Sequence, residues 1–525
     1  MSEPVILPGL RLFGQKGCFD LTLQDGLIAA ITPSASDSGL LALPGFCESH
    51  AHLFPGGVAL EQLNLGAIHD TGALRAALLP HAAKTPDGDL ICAYAANYDL
   101  LGGPRPDRHA LDAILPDRPL CITATDFHCA WANTAALEWA GILTGCETEG
   151  VQVADGQATG ELREFAAMDL VRRLAPSGGR ETLGLTAAEP EAVTPAQRAR
   201  DRATIMLAMQ ECLRHGITSV VNMDGNLYLA DLLTEMAAEL PLHVSLPMTL
   251  VPGQSPDRRR ALLDRASSAP LGRLTFGRIK MFMDGVFDTW TAFRTDDYPD
   301  RPGFRSNPLF SHEEFADICI QADARHLQIA VHAVGDGAVR ATLDGFAAAR
   351  AANGTRDSRH RIEHIDMIHP TDLHRLAALG VTASMQPVHP PGLAGLPLEP
   401  TISIMSAARW ADTFPWRAIH DRGVPLAFGT DWPVSPLSPL HALHCALSRQ
   451  PWAEGVPDQR LTLVEALAAY ATAGAYATFA EAQRGVLAKG MEADIVLLSG
   501  DPAALAVTPS ACGVEQVFSG GKRVV

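Results

Sequence analysis

The sequence predicts an α/β protein: a (β/α)8 barrel, a small β-sandwich formed by the N- and C-terminal segments, and a large insertion after barrel strand 1. Three observations carry this expectation. Short apolar runs that end in polar or glycine-rich loops alternate with Ala- and Leu-rich stretches of helical spacing, the pattern of a parallel sheet with crossover helices. Eight such runs can be counted, which favours closure into a barrel. Both chain ends share a strand-like, turn-punctuated character instead.

Residues 1–43 contain VILPGLRLF and GLIAAITP, broken by Gly, Pro and an Asp-Gly turn signal. Residues 485–525 read the same way in GVLAKGMEADIVLLSGDP and GVEQVFSGGKRVV, so the two ends are expected to meet in one β-sandwich domain. Between them, 44–484 is the expected barrel. Its runs are LLALPGFCESH (to His50), ITSVVNMD (217–224), LHVSLPMTL (242–250), LTFGRIKMF (274–282), LQIAVHAVGD (327–336), HRIEHI (360–365), VTASMQP (381–387) and VPLAFGTDWP (424–433). The interval from the first run to the second is far longer than one βα connection needs. Residues 55–215 therefore read as a cap or inserted subdomain near the active-site face, the alternative being a separate structural domain.

Bulk properties narrow the function. A chain of 525 residues, 47% hydrophobic and 19% charged, can bury a large core and suits a barrel of about 250 residues with additions. Its formal net charge of −18 disfavours a nucleic-acid or anionic-membrane partner. A small-molecule substrate is the partner expected, and a homodimer is left open. The ten cysteines are scattered without a CxxC pair, as in the reduced thiols of a cytoplasmic protein. The opening MSEPVILPGLRLF lacks the basic start and long apolar stretch of a signal peptide. No uncharged apolar run reaches the roughly 18 residues that span a bilayer.

Polar residues fall where a barrel enzyme needs them, at the C-terminal strand ends. Strand one ends in His50-Ala51-His52, strand four carries Lys280, and strands five, six and eight end at His332, His364 and Asp431. Each alone has an ordinary explanation: a hydrogen-bonded core histidine, or, for Asp431 in GTDWP, a helix cap or turn. Four imidazoles and a carboxylate together at strand ends are hard to explain that way. Alternation lets His50 and His52 point the same way and hold one ion. Neutral imidazole suits Zn²⁺, and a carboxylate adds charge compensation. Lys280 is the oddity in the apolar RIKMFMDG, because an ammonium beside a dication is repelled and poorly solvated. Otherwise its head escapes to solvent or pairs with Asp284.

In order, HAHLFPGG, IKMFMDGVFDTWTA, VHAVGDGAV, RIEHI, SMQP and GTDWPVSP, with the closing LTLVEALAAYATAGAYATF…GVLAKGMEADIVLL, resemble amidohydrolase family 3 over essentially the whole chain. The resemblance implies that His50, His52 and Asp431 bind one divalent ion and that His332 and His364 bind a second. Lys280 matches a position that in related binuclear enzymes is a carboxylated lysine bridging both metals; unmodified, it would favour a mononuclear site. One or two ions per chain are thus expected, Zn²⁺ first, with Mn²⁺, Fe²⁺ and Co²⁺ not excluded. The implied activity is hydrolysis of a C–N amide-type bond (N-acyl, N-formyl or cyclic amide) by metal-activated water, with Asp431 as general base and then acid. Its alternatives are deamination of a ring amidine, in which Lys280 would have little use, and a non-catalytic binding relative. Within the insertion, Asp126-Phe127-His128-Cys129-Ala130-Trp131-Ala132-Asn133 resembles the family's DGH-x-x-W-x-N segment, so His128, Trp131 and Asn133 are expected at the cap, with His128 substrate-binding. His389, after strand seven, is a second substrate-binding candidate. Asp336 is expected to fix a loop, and His360 and Glu363 to be structural.

Overall fold

The computed structural model describes residues 3–101 and 107–525; residues 1–2 of the N-terminal segment and 102–106 of the insertion lie outside it. All eight apolar runs form parallel strands: β1 (Phe46–Ala51), β2 (Ile217–Asn222), β3 (His243–Ser245, resuming at Met248–Thr249), β4 (Leu274–Thr275, resuming at Arg278–Phe282), β5 (Gln328–Ala333), β6 (Arg361–His364), β7 (Thr382–Met385) and β8 (Leu426–Phe428). They lie in chain order in two sheets, one of four strands from β1 to β4 and one of six from β3 to β8, which share the interrupted β3 and β4. Past β8 the chain runs beside β1: Asp431 N donates to His50 O at 2.8 Å and His52 N to Trp432 O at 2.8 Å. Two glycines permit this approach. A Cβ on Gly429 would lie 2.5 Å from His50 N, and one on Gly56 would lie 2.0 Å from the Trp432 ring. Helices join successive strands, among them His312–Ala324, capped by Ser311, and Asp336–Asn353. The strands are buried on both sides, as parallel strands covered by helices are.

The two chain ends do meet, in a single seven-stranded sheet where Ile495–Gly500 lies between Cys512–Ser519 and Leu41–Pro44. Its edge strand Leu27–Ser34 turns back toward the middle of the same sheet, Ile28 N donating to Met491 O at 2.8 Å.

The insertion has its own six-stranded mixed sheet, running from Val151–Ala154 at one edge to Leu63–Asn64 at the other. Alternation along Leu120–Ala124 sends Leu120 and Ile122 into one apolar cluster and Cys121 into another, so each face of this sheet has a core. The helix Pro195–Arg214 differs from the rest of the 55–215 interval. Its buried face, including Ile205, Met209 and Leu213, joins the main core with β2. No helix among the described residues is long and apolar enough to cross a membrane, and all ten cysteines are free.

Candidate metal centre

The C-terminal ends of β1, β5, β6 and β8 and the loops behind them bring His50, His52, His332, His364 and Asp431 to one cavity of about 460 Å³. Of the residues expected to hold metal or bind substrate, all but Lys280 line it, including His128 from the insertion and His389 from the loop after β7. The insertion therefore forms part of the cavity wall.

The imidazoles form a row. Ring centroids are 5.5 Å apart for His50–His52, 4.8 Å for His50–His364, 4.5 Å for His364–His332 and 5.9 Å for His332–His128. His389 stacks on His364 at 5.8 Å with the planes 6° apart. His50 Nδ1 hydrogen-bonds Glu363 Oε2 at 2.8 Å, and His52 Nδ1 hydrogen-bonds Asp224 Oδ1 at 2.8 Å. With Nδ1 engaged, the Nε2 atoms of both rings converge on Asp431 Oδ1, at 3.2 and 3.1 Å. Carboxylates that fix the tautomer and plane of a ligating histidine are the usual outer support of a metal site. His50, His364 and Asp431 present one donor atom each within 4.8 Å of one another, all buried. His364 Nδ1 also meets Gln386 Oε1 at 2.9 Å.

Backbone strain helps to assemble this set. His364 and Asp431 have φ of +77° and +60°, a region non-glycine residues enter at a cost. Regular alternation would point Glu363 and His364 to opposite faces. The left-handed turn at the end of β6 lets both reach the site.

Charges follow from burial and partners. Burial opposes the Asp431 charge, but His50 and His52 beside it hold the carboxyl well below the usual range. Burial pushes His332 and His364 well below the ordinary imidazole value and His389 down to about 4, so all three are neutral donors. At His52 burial is outweighed by Asp224 and Asp431, which raise it to about 9. Glu363 is kept ionised, against burial, chiefly by Arg361, whose Nε and Nη2 donate to it at 2.8 and 2.9 Å.

Lys280 is fully buried, its Nζ 4.6 Å from the centre of the Phe282 ring and without a hydrogen-bond partner among the described residues. Burial lowers it to about 8, Glu363 and Asp431 pulling the other way. The alternative pairing with Asp284 is not formed. Asp284 instead accepts the backbone N–H groups of Phe293, Val334 and Gly335 at 2.9, 3.0 and 2.8 Å.

Three expectations change. Glu363 is not a bystander, because it orients His50. Trp131 does not line the cavity and packs edge-on to Tyr98 in the insertion's core. Asn133 is fully buried, accepts from Leu120 N and Ala136 N, and donates to Leu115 O and Arg118 O, so it braces the insertion. Asp336 does fix a loop, taking bonds from Thr295 and Arg409. Asp224 and Gln386 escaped the sequence reading, although both stand at strand ends, the signal that marked the histidines.

The chain belongs to the amidohydrolase family, whose model matches residues 38–525. Among its relatives, Protein LONG AFTER FAR-RED 3 of Arabidopsis thaliana is 26% identical over 517 residues, covering 95% of this chain and 85% of that one. N-substituted formamide deformylase of Arthrobacter pascens is 24% identical over 490 residues, covering 89% and 84%. The fold is similar to that of an uncharacterized metal-dependent hydrolase from Pyrococcus horikoshii OT3, with a TM-score of 0.72 and 23% identity over 97% of this chain and 99% of that structure.

Proposed function

We propose that the protein is a metal-dependent amidohydrolase that cleaves a C–N amide-type bond (N-acyl, N-formyl or cyclic amide) of a small molecule. The observation that carries this is the convergence of the His50 and His52 Nε2 atoms on Asp431 at the end of parallel strands, each ring held from behind by a carboxylate. The eight parallel strands are read as a (β/α)8 barrel, with this set at its C-terminal mouth, and the folded-back terminal sheet as the β-sandwich.

The donor set fits a divalent ion. Converging imidazole nitrogens, one ionised carboxylate, and a buried Lys280 Nζ with no hydrogen-bond partner among the described residues make up that set. His50, His52 and Asp431 would hold one ion, and His332 and His364 a second. Lys280 would complete the ligand set once its neutral amine had added to CO2 and lost a proton, giving an anionic carbamate. When bound, the ion supplies Lewis acidity toward a carbonyl oxygen and toward water. The chain's own groups do the rest. Asp431, ionised and facing the cavity, takes a proton from the attacking water and can return it to the leaving nitrogen. His389, neutral beside His364, offers a hydrogen bond to the substrate. Support for the C–N bond comes from the family and from the deformylase among the relatives.

The test is a screen of N-formyl, N-acetyl and cyclic amides with and without chelator, read as amine release. Chelator-sensitive turnover is expected; undiminished turnover by metal-free protein would contradict the reading.

A further inference from the structure

The cavity wall supplied by the insertion carries His128, and this side chain is fixed on every side. Its backbone N donates to Asp126 Oδ1 at 2.9 Å, and its carbonyl accepts from Glu164 N at 2.8 Å. Nδ1 hydrogen-bonds Glu164 Oε2 at 2.7 Å. The other oxygen, Glu164 Oε1, accepts from Thr291 Oγ1 at 3.0 Å, in the loop after β4, so the pair is anchored to the parallel sheet as well as to the insertion. Glu164 has φ of +63°. A glutamate held in this glycine region is strain that its surroundings must sustain, and such strain gathers at working sites.

With Nδ1 taken by Glu164, Nε2 is the nitrogen open to a bound molecule. His128 lies at one end of the imidazole row, beside His332, while Asp431 sits at the other end against His50 and His52. Amide hydrolysis needs two proton transfers at different places: one from the attacking water, one to the departing nitrogen. An unprotonated amide nitrogen is a very poor leaving group, so the second transfer repays a dedicated donor.

We propose that His128, oriented by Glu164, is the donor to the leaving nitrogen, and that Asp431 serves the attacking water alone; this rests on the C–N hydrolysis proposed above. The C–O bond forms as water gives its proton to Asp431. The C–N bond then breaks, its electron pair staying on nitrogen, which takes the proton from His128 Nε2. Carboxylic acid and amine leave, and solvent carries the proton from Asp431 back to His128. Glu164 is a positioning residue: its carboxylate accepts from Nδ1–H, fixes the ring and favours the imidazolium, whose Nε2–H is the proton given up.

The experiment compares an N-acyl benzylamide with the matching N-acyl 4-nitroanilide, whose weakly basic amine departs without an acid. For His128→Gln and His128→Asn, kcat should fall about 10²- to 10⁴-fold on the benzylamide and much less on the nitroanilide. Bound metal and thermal midpoint should stay at wild-type values. Glu164→Gln, which keeps a bond to Nδ1 but removes the charge, should show a smaller loss with the same dependence on the leaving group, and it carries the test if the His128 variants do not fold. Equal losses on both substrates at unchanged metal content would overturn the proposal and leave His128 as a brace. A wild-type chain inert toward both amides would instead remove the C–N reading, and this proposal with it.

Discussion

Two clusters among the described residues bring histidine and carboxylate together with donor atoms within 4.8 Å: His50, His364 and Asp431 at the C-terminal ends of the parallel strands, and His243, Glu492 and Asp494 at the other end of β3. In the second, His243 Nε2 lies 2.9 Å from Glu492 Oε2 and 3.5 Å from Asp494 Oδ2, while Arg484 Nη1 sits 3.1 Å from the same Glu492 oxygen. That cluster already contains its cation, and it ties β3 to the terminal sheet. In the first, Asp431 is faced by imidazoles, and Arg361 is spent on Glu363 behind His50. Spacing is alike; the second imidazole in place of a second carboxylate, the placement of arginine, and the Glu363 and Gln386 side chains that occupy Nδ1 of His50 and His364 make one cluster a candidate metal centre and the other a structural ion pair.

Substitutions should break the two clusters differently. Asp431→Asn should lower kcat about 10²- to 10⁴-fold while leaving the fold intact by circular dichroism. His50→Ala and His52→Ala should lose activity together with bound metal, measured by elemental analysis. Lys280→Ala should also lose activity, with partial rescue by added short carboxylic acids. Lys280→Arg should not be rescued, because a guanidinium stays cationic and forms no carbamate. Were Lys280 only a buried structural amine, added acids would restore nothing in the alanine variant. A milder effect is expected one layer out: Asp224→Asn should weaken metal binding about 10- to 100-fold in a competition titration. Glu363 is a poorer probe of that layer, since its loss strands the buried Arg361 and costs about 3–5 kcal/mol of stability. At the contrasting cluster, His243→Gln should leave metal content and kcat unchanged and cost about 1–3 kcal/mol of stability, seen as a lower denaturant midpoint. Loss of metal from that variant would erase the distinction between the two ends.

The parallel strands were legible because each is an apolar run cut off by a polar residue, and the ligand candidates were legible because they are those polar residues. Less visible was whatever depends on pairing across the chain. Glu363 meets His50 from 313 positions away, and it reaches the site alongside its neighbour because His364 leaves extended backbone at +77°. Trp131 and Asn133 share a motif with His128, yet only His128 reaches the cavity, since alternation and the turn into the helix Thr134–Ala140 send the other two inward. The helix Pro195–Arg214 sits in the long interval but packs with β2, which its own sequence does not announce. Lys280 stood out as a charge in an apolar strand, but only the structure shows its Nζ buried without a hydrogen-bond partner among the described residues.

Metal removal and return tests the central claim most directly. Protein stripped by chelator should lose amide hydrolysis and regain it as one or two equivalents of divalent ion are restored, with His243→Gln behaving like wild type and His50→Ala failing to recover. Full turnover by stripped protein, or recovery by His50→Ala with wild-type metal content, would contradict it.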